Sequence, residues 1–226
     1  MNDFAISFHG QKLVARPSGT LWWPDVGLLC VSDLHLGKAE RIARRGGTML
    51  PPYEGHDTLA RLEVELDATQ ARHVVCLGDS FDDPAAATAF PNDLRSWLER
   101  LILGRTWVWV EGNHDPGPNP MPGRHLAQYD LHGLTFRHEA RVGASGEISG
   151  HYHPKARLKL RGTSVIRPCF LIDDDRVILP AFGTFTGGLL TNSEVFRPLM
   201  GPKALSVLTG TACHAVPMAR SNAVRT

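Results

Sequence analysis

From Phe4 to Pro24 the chain reads FAISFHGQKLVARPSGTLWWP, with apolar and polar residues alternating on either side of the turn HGQK, and this two-residue period predicts a β-hairpin. Thereafter the period changes repeatedly. Residues 28–32, LLCVS, predict a strand that is apolar up to Val31. In DTLARLEVELDATQ, residues 57–70, Leu59, Leu62 and Leu66 fall on one helical stripe, with Asp57 as N-cap. HVVCLGD predicts a strand, DLRSWLERLIL a helix and TWVWVEGNHD a further strand. This β-α-β-α-β order implies parallel strands buried on both faces.

The second half changes character. LTFRHEA, EISGHYH, ARLKLRG, SVIRPCFLI and RVILPAF are short strand patterns separated by turns, the clearest being DDD at 173–175. The expected architecture is a mixed α/β domain of two packed sheets over residues 1–208, followed by a small, polar, aperiodic and flexible tail at 209–226.

Composition narrows the class. At 226 residues and 42% hydrophobic content, the chain is long enough to bury an ordinary globular core. Its longest apolar runs are short, and MNDFAISFHGQK lacks the basic and apolar segments of an export signal, so a soluble cytoplasmic protein without membrane contact is expected. Cys30, Cys76, Cys169 and Cys213 show no C-x-x-C pairing and read as reduced thiols. A formal net charge of +1 leaves no global field, so any polyanion partner must be held locally. Nothing along the chain identifies a symmetric interface or an oligomeric state.

Three predicted strands end alike, in LLCVSDLH, VVCLGDSFDD and VWVEGNHD. Each delivers oxygen or imidazole donors just past its C-terminal end, the edge where open α/β sheets bind ligands. His138 in FRHEA, and His151 and His153 in SGHYHP, add imidazoles. Each group has an ordinary reading on its own. Asp33 could cap a turn, Asp79 could form an Asx-turn, and Asn113 and His114 could satisfy loop carbonyls. His138 could be a hydrogen-bonded core histidine, while His151 and His153, two apart on a strand, would point the same way and could be merely exposed. Together these readings require five independent coincidences.

The order D-x-H, G-D, G-N-H-D, H, G-H-x-H resembles the calcineurin-like metallophosphoesterase superfamily over residues 28–153. The resemblance implies two mixed β-sheets packed as a sandwich flanked by α-helices, and a centre for two divalent metal ions. It places one ion with Asp33, His35, Asp79 and His153, and the other with Asp79, Asn113, His138 and His151, so that Asp79 bridges. Such a pair of ions clamps a phosphoryl group and supplies the nucleophile for in-line displacement. Carboxylate, amide and imidazole donors suit Mn2+ first, with Fe2+, Zn2+ and Mg2+ as the other candidates. His114 would be a non-ligand general acid for the leaving oxygen, oriented by Asp82 or Asp115. Gly37 would let the chain turn away from the first metal motif. GDSFDDP lacks the arginine of protein serine/threonine phosphatases and GNHD replaces their GNHE, which argues against that class.

LWWP, DLHLGKA, LPPY, LGDSF, GHYHPKA, RPCF and LPAFGTFTGGL further resemble the ligase-associated DNA damage response endonuclease family, from about residue 20 to 190. That family often has histidine where this chain has Asp82. The resemblance implies a metal-dependent phosphodiesterase or DNA endonuclease of DNA repair, in company with a DNA ligase, a helicase and a nuclease-like partner. Independently, Lys155, Arg157, Lys159 and Arg161 alternate with apolar residues and form a basic strand face beside GHYHP. Lys38, Lys155 and Arg157 are thus candidate substrate contacts, and Arg41, Arg44 and Arg45 make a second basic run. An edge strand protected by charge, and a solvated helix face, explain the same residues without DNA. Neither patch carries the interleaved aromatic residues of a strong single-strand platform. Two rival functions remain: a small-molecule phosphoesterase acting on nucleotides, cyclic phosphates or phosphomonoesters, and a non-catalytic, metal-stabilised repair scaffold. The complete donor set with the unliganded His114 argues against the scaffold.

Overall fold

The apolar runs at 28–31, 73–77 and 106–110 lie side by side in the computed structural model, which describes residues 2–47, 51, 53–160 and 162–220. Strands β1 (Phe4–Phe8) and β2 (Gln11–Ala15) form the expected hairpin, and its turn residues His9 and Gly10 both have positive φ, as two-residue hairpin turns require. β3 (Leu21–Trp23) and β4 (Leu28–Val31) extend the sheet antiparallel. From β4 the chain passes through α1 (Lys38–Arg44) and α2 (Glu54–Thr69) to β5 (His73–Leu77), then through α3 (Pro84–Thr88) and α4 (Asn92–Ile102) to β6 (Thr106–Val110) and on to β7 (Arg124–Leu126). β4, β5, β6 and β7 are parallel neighbours, so the seven strands are ordered as in sequence.

The second sheet contains β8 (Tyr129–Leu131), β9 (Leu134–Phe136), β10 (Glu147–Ser149), β11 (Lys155–Leu160), β12 (Thr163–Ile172), β13 (Arg176–Ile178), β14 (Leu205–Leu208) and β15 (His214–Pro217). Its path runs β15-β14-β12-β13-β10-β9-β8, with β11 paired to β12. Leu28, Cys30, Val75, Leu77, Val108 and Val110 from the first sheet pack against Phe136, Ile148, Phe170, Val177 and Val207 from the second. The alternate residues Leu29, Val31, Val74, Cys76, Trp107 and Trp109 face Leu59, Leu62 and Leu66 of α2 and Leu94, Leu98 and Leu101 of α4. Burial on both faces is why these strands carry no polar alternation. All four cysteines are unpaired, and no helix among the described residues is long and apolar enough to cross a membrane.

Several expectations need correction. α2 starts at Glu54 with Tyr53 as N-cap, and Asp57 instead pairs with Arg61 one turn on, at 3.0 Å. The strands drawn through FRHEA and GHYH stop at Phe136 and Ser149, so His138, His151 and His153 lie in the loops beyond. The tail expected from residue 209 instead returns as β15, whose His214 pairs with Leu208; residues 221–226 lie outside the described residues, as do Arg161 of the basic face and Leu50 and Pro52 of LPPY.

Glu54, 2% exposed, lies against the first turn of α1, where its Oε1 is 3.5 Å from the amide of Ala39. Burial pushes its carboxyl up to about 7 in spite of the amides of Gly37, Lys38 and Ala39, with Glu40 adding to the rise. Its folded value thus lies above the unfolded one, so stability is fully present below about pH 4.5 and is lost as pH climbs through 7. Glu54→Gln should therefore unfold at higher urea than wild type at pH 8, by up to about 3 kcal/mol, with the difference gone at pH 4. Parallel pH profiles for the two proteins would contradict this assignment.

Candidate metal centre

The donors converge because the backbone past each strand turns sharply. Asp33, His35, Asp79, His151 and His153 all have φ between 45° and 70°, the left-handed region that non-glycine residues seldom occupy. Each such residue costs about 1 kcal/mol, so the surrounding structure must impose it. Close packing does so. Asp33 and His35 are tied to the β5 loop by amide bonds to the carbonyls of Gly78 and Asp79. A Cβ on Gly150 would lie 1.6 Å from Ser32 Oγ and 2.6 Å from Asp33 Oδ2, so only glycine lets the His151 loop come this close.

Three groups of donors result among the described residues; one, His35, Asp82 and His114, overlaps the first of the two built from the expected ligands. Asp33, His35 and His153 form the first, with His153 Nε2 3.0 Å from Asp33 Oδ1 and 3.4 Å from His35 Nε2. Asp79, His138 and His151 form the second, with His138 Nε2 3.0 Å from His151 Nδ1, 3.4 Å from Asp79 Oδ2 and 2.9 Å from Asn113 Oδ1. Asp79 Oδ2 also lies 4.0 Å from His35 Nε2, so this one oxygen faces both groups. His151 and His153 therefore do not point the same way, because their αL backbones break the strand geometry and send one imidazole to each group.

The other atoms of these residues are engaged by protein. His151 N–H donates to Asp33 Oδ2 at 2.9 Å, and the Ser32 hydroxyl donates to the same oxygen. His114 N–H donates to Asp79 Oδ1 at 2.8 Å. His138 Nδ1 donates to the Leu77 carbonyl at 2.8 Å, so Nε2 is the nitrogen that faces Asp79. Asp33 Oδ1, fully buried, has no well-aligned hydrogen bond and is left facing the histidines.

The electrostatics favour a cation. Burial alone would raise the carboxyls of Asp33 and Asp79, yet His153 and His138 outweigh it at Asp33, and His138, the His114 amide and His35 hold Asp79 at about 2. Burial likewise opposes charge on His138, but Asp79 and Asp33 raise it to about 9. His151 is lowered, by burial and then by charge on His138. Ionised carboxylates, imidazole nitrogens crowded within hydrogen-bond distance of one another and a buried carboxylate oxygen with no well-aligned hydrogen bond fit divalent metal ions.

Asp82 departs from its expected task. Its carboxylate is fully buried and lies 2.7 Å from His35 Nδ1, fixing the ring so that Nε2 faces the first donor group. Its backbone carbonyl, not its carboxylate, accepts from His114 Nδ1 at 2.9 Å. Asp82 also pairs with Arg41 Nε and lies 3.9 Å from Lys38 Nζ. Burial would raise its carboxyl, but His35, Arg41 and Lys38 lower it to about 2. Asp115 does not orient His114. Its carboxylate accepts amides from Asp79, Ser80, Phe81 and Gly112 at 2.8–3.2 Å and so clamps the Asp79 loop; burial pushes it up to about 6.

The candidate substrate contacts are less free than their charge suggests. Lys38 belongs to the Asp82 cluster, and Lys155 Nζ donates to the Thr186 carbonyl at 3.1 Å, whereas Arg157 is exposed on β11. Arg44 pairs with Asp83 at 2.9 Å. Sequence reading missed Ser32 and Gly150 as supports of Asp33, and missed Arg41 as partner of Asp82. Lys38 and Arg41, three apart in α1, share one helix face, and that spacing opposite a buried aspartate was the available signal.

Comparison with known proteins agrees with this geometry. Residues 27–168 match the family model described as calcineurin-like phosphoesterase. A search of curated proteins gave no match. Among solved structures, the crystal structure of Pseudomonas putida nuclease MPE is similar, with a TM-score of 0.74 and 28% identity over 95% of this chain and 100% of that one.

Asp82→Asn should keep the fold but weaken Mn2+ affinity by about 10- to 100-fold, as loss of a carboxylate behind a ligating histidine does elsewhere. Titration calorimetry on metal-stripped protein would measure it. Wild-type affinity in this variant would mean that His35 is held without the carboxylate.

Proposed function

The chain belongs to the calcineurin-like phosphoesterase family, and on that premise we propose that it is a dinuclear metal-dependent phosphodiesterase acting on DNA, an endonuclease of DNA repair. One observation carries the phosphodiesterase reading: two donor groups joined through Asp79 Oδ2, with His114 oriented beside them by the Asp82 carbonyl. The nuclease name of the similar Pseudomonas putida protein supports a nucleic acid as the substrate class, and the family resemblance points to DNA.

Asp33, His35, Asp79 and His153 would hold one ion; Asp79, Asn113, His138 and His151 would hold the other. When bound, the ions supply Lewis-acid polarisation of the phosphoryl group and make the attacking water acidic. Mn2+ suits the mixed oxygen and nitrogen donors. His114 then has a defined task. Its Nδ1 proton is committed to the Asp82 carbonyl, and its ring lies edge-on to His35 at 5.1 Å between centroids. Nε2 is thus the nitrogen available to hand a proton to the leaving alkoxide. A poor leaving group needs that proton, whereas an activated or phenolic ester does not. DNA is the proposed macromolecular partner, with a ligase, a helicase and a nuclease-like protein as the repair company implied by family resemblance.

The test compares Mn2+-loaded wild type, Asp79→Asn and His114→Ala on a small dialkyl phosphodiester, the phenolic monoester 4-nitrophenyl phosphate and DNA oligonucleotides. Asp79→Asn should lose all turnover, and EDTA should abolish that of wild type. His114→Ala should lose diester and DNA cleavage by about 10²- to 10⁴-fold while keeping monoester turnover. Monoester turnover far above diester turnover, with DNA intact, would overturn the reading in favour of a small-molecule phosphoesterase.

A further inference from the structure

Eight large hydrophobic side chains are exposed among the described residues, and six are scattered aliphatics. The other two, Tyr53 (54% exposed) and Phe185 (39%), lie together, with ring centroids 5.7 Å apart and planes tilted by 58°. They come from distant segments: Tyr53 precedes α2, and Phe185 sits in the loop GTFTGG at 183–188.

That loop is held between the segments bearing Asp33 and His153. At one end, the amides of Phe182 and Gly183 donate to the carbonyls of Ser32 and Asp33 at 2.8 and 3.0 Å. At the other, Leu189 N–H bonds the Tyr152 carbonyl, and the Leu189 carbonyl accepts from Lys155 N–H at 2.8 Å. Thr184 fixes the near side to Thr58 of α2 at 3.2 Å. Phe185 stands at the tip of this braced span with φ 60°, a conformation that side-chain-bearing residues rarely adopt. An aromatic ring left in water, on strained backbone, beside a site that handles phosphoesters, calls for a ligand with a flat apolar face.

From this arrangement we infer that Tyr53 and Phe185 form a stacking surface for a nucleobase next to the scissile phosphate. The inference rests on the phosphodiesterase reading for its choice of ligand. A base offers a π-face to the paired rings whatever its identity, so the surface would position a strand without reading sequence. It would complement the metal centre, which takes only the phosphate.

Full-length, Mn2+-loaded wild type, Tyr53→Leu, Phe185→Leu, the double variant and Phe185→Gly would be titrated with two fluorescein-labelled phosphorothioate strands, a thymidine hexamer and its abasic counterpart, by anisotropy. Wild type should prefer the base-bearing strand by about tenfold, and each single variant should lose much of that preference. The double variant should bind both strands alike. Phe185→Gly relaxes the backbone while removing the ring, so it should lose the preference with a thermal midpoint at or above wild type; this separates stacking from misfolding. Turnover of methyl 4-nitrophenyl phosphate should stay within about twofold in all variants. Equal binding of the two strands by wild type, or full preference in the double variant, overturns the inference even where diester turnover is intact. Without any ester turnover the phosphodiesterase reading fails, but the binding comparison still decides the stacking surface. A concentration-dependent dimer lost in Phe185→Leu, without base preference, overturns it in favour of a second copy of the chain.

Discussion

Two buried carboxylates at the ends of adjacent parallel strands are the constraint around which this molecule is arranged. Asp33 is wholly excluded from solvent and Asp79 nearly so, and histidines hold both ionised. Charge of one sign at such depth is costly unless compensated on the spot. The close approach of β4 and β5 puts the carboxylates together. The left-handed turns at Asp33, His35, Asp79, His151 and His153 bring compensating groups back over the strand ends instead of letting the chain run into solvent. Gly150 permits the closest of these approaches, and Asp115 clamps the Asp79 loop from behind with four amide hydrogen bonds. His138, driven toward its protonated form by Asp79 and Asp33, shows that positive charge is what the cluster still lacks.

Asp82 illustrates how a departure from a family pattern is absorbed. A histidine in its place would bring no obligatory charge, whereas a fully buried aspartate must be neutralised. Three partners do this, His35, Arg41 and Lys38, two of them from α1. The consequence reaches beyond charge balance, since α1 becomes attached to the first donor group and His35 gains a fixed ring orientation. His114 is unaffected by the change, because it uses the carbonyl of residue 82, which any residue would supply. The identity of this side chain thus bears on the first donor group, while the orientation of the His114 ring is a property of the backbone.

The strand-end clustering was legible because it rests on local facts: unbroken apolar runs mark the buried strands, and the polar residues following each one are the exception that needs a cause. The features that escaped depend on tertiary contact. Asp115 follows GNH directly and looks available to His114, yet the amide-rich loop at 79–81 claims its carboxylate. His151 and His153 obey strand periodicity in the sequence but not in space, since Gly150 starts a turn there. The residues after 208 seemed too polar and small for a strand, but β14 supplies an open edge and β15 completes it. Tyr53 and Phe185 are 132 positions apart by number, and no local pattern could pair them.

Some of the basic residues that looked like phosphate contacts are engaged by the protein itself. Arg41 and Arg44 answer Asp82 and Asp83 and Lys155 holds the loop carrying Phe185, while Arg157 and Lys159 stay exposed on β11. With a net charge of +1, the chain has no global field to draw in a polyanion. Recognition must then be concentrated where the structure still has unmet capacity. The metal centre can take one phosphate, and the exposed aromatic pair can take one flat apolar group. A binding mode built on those two features engages a short stretch of substrate tightly and places little demand on the surface around it. It also makes access to a phosphate, more than the length of the strand, the condition for binding.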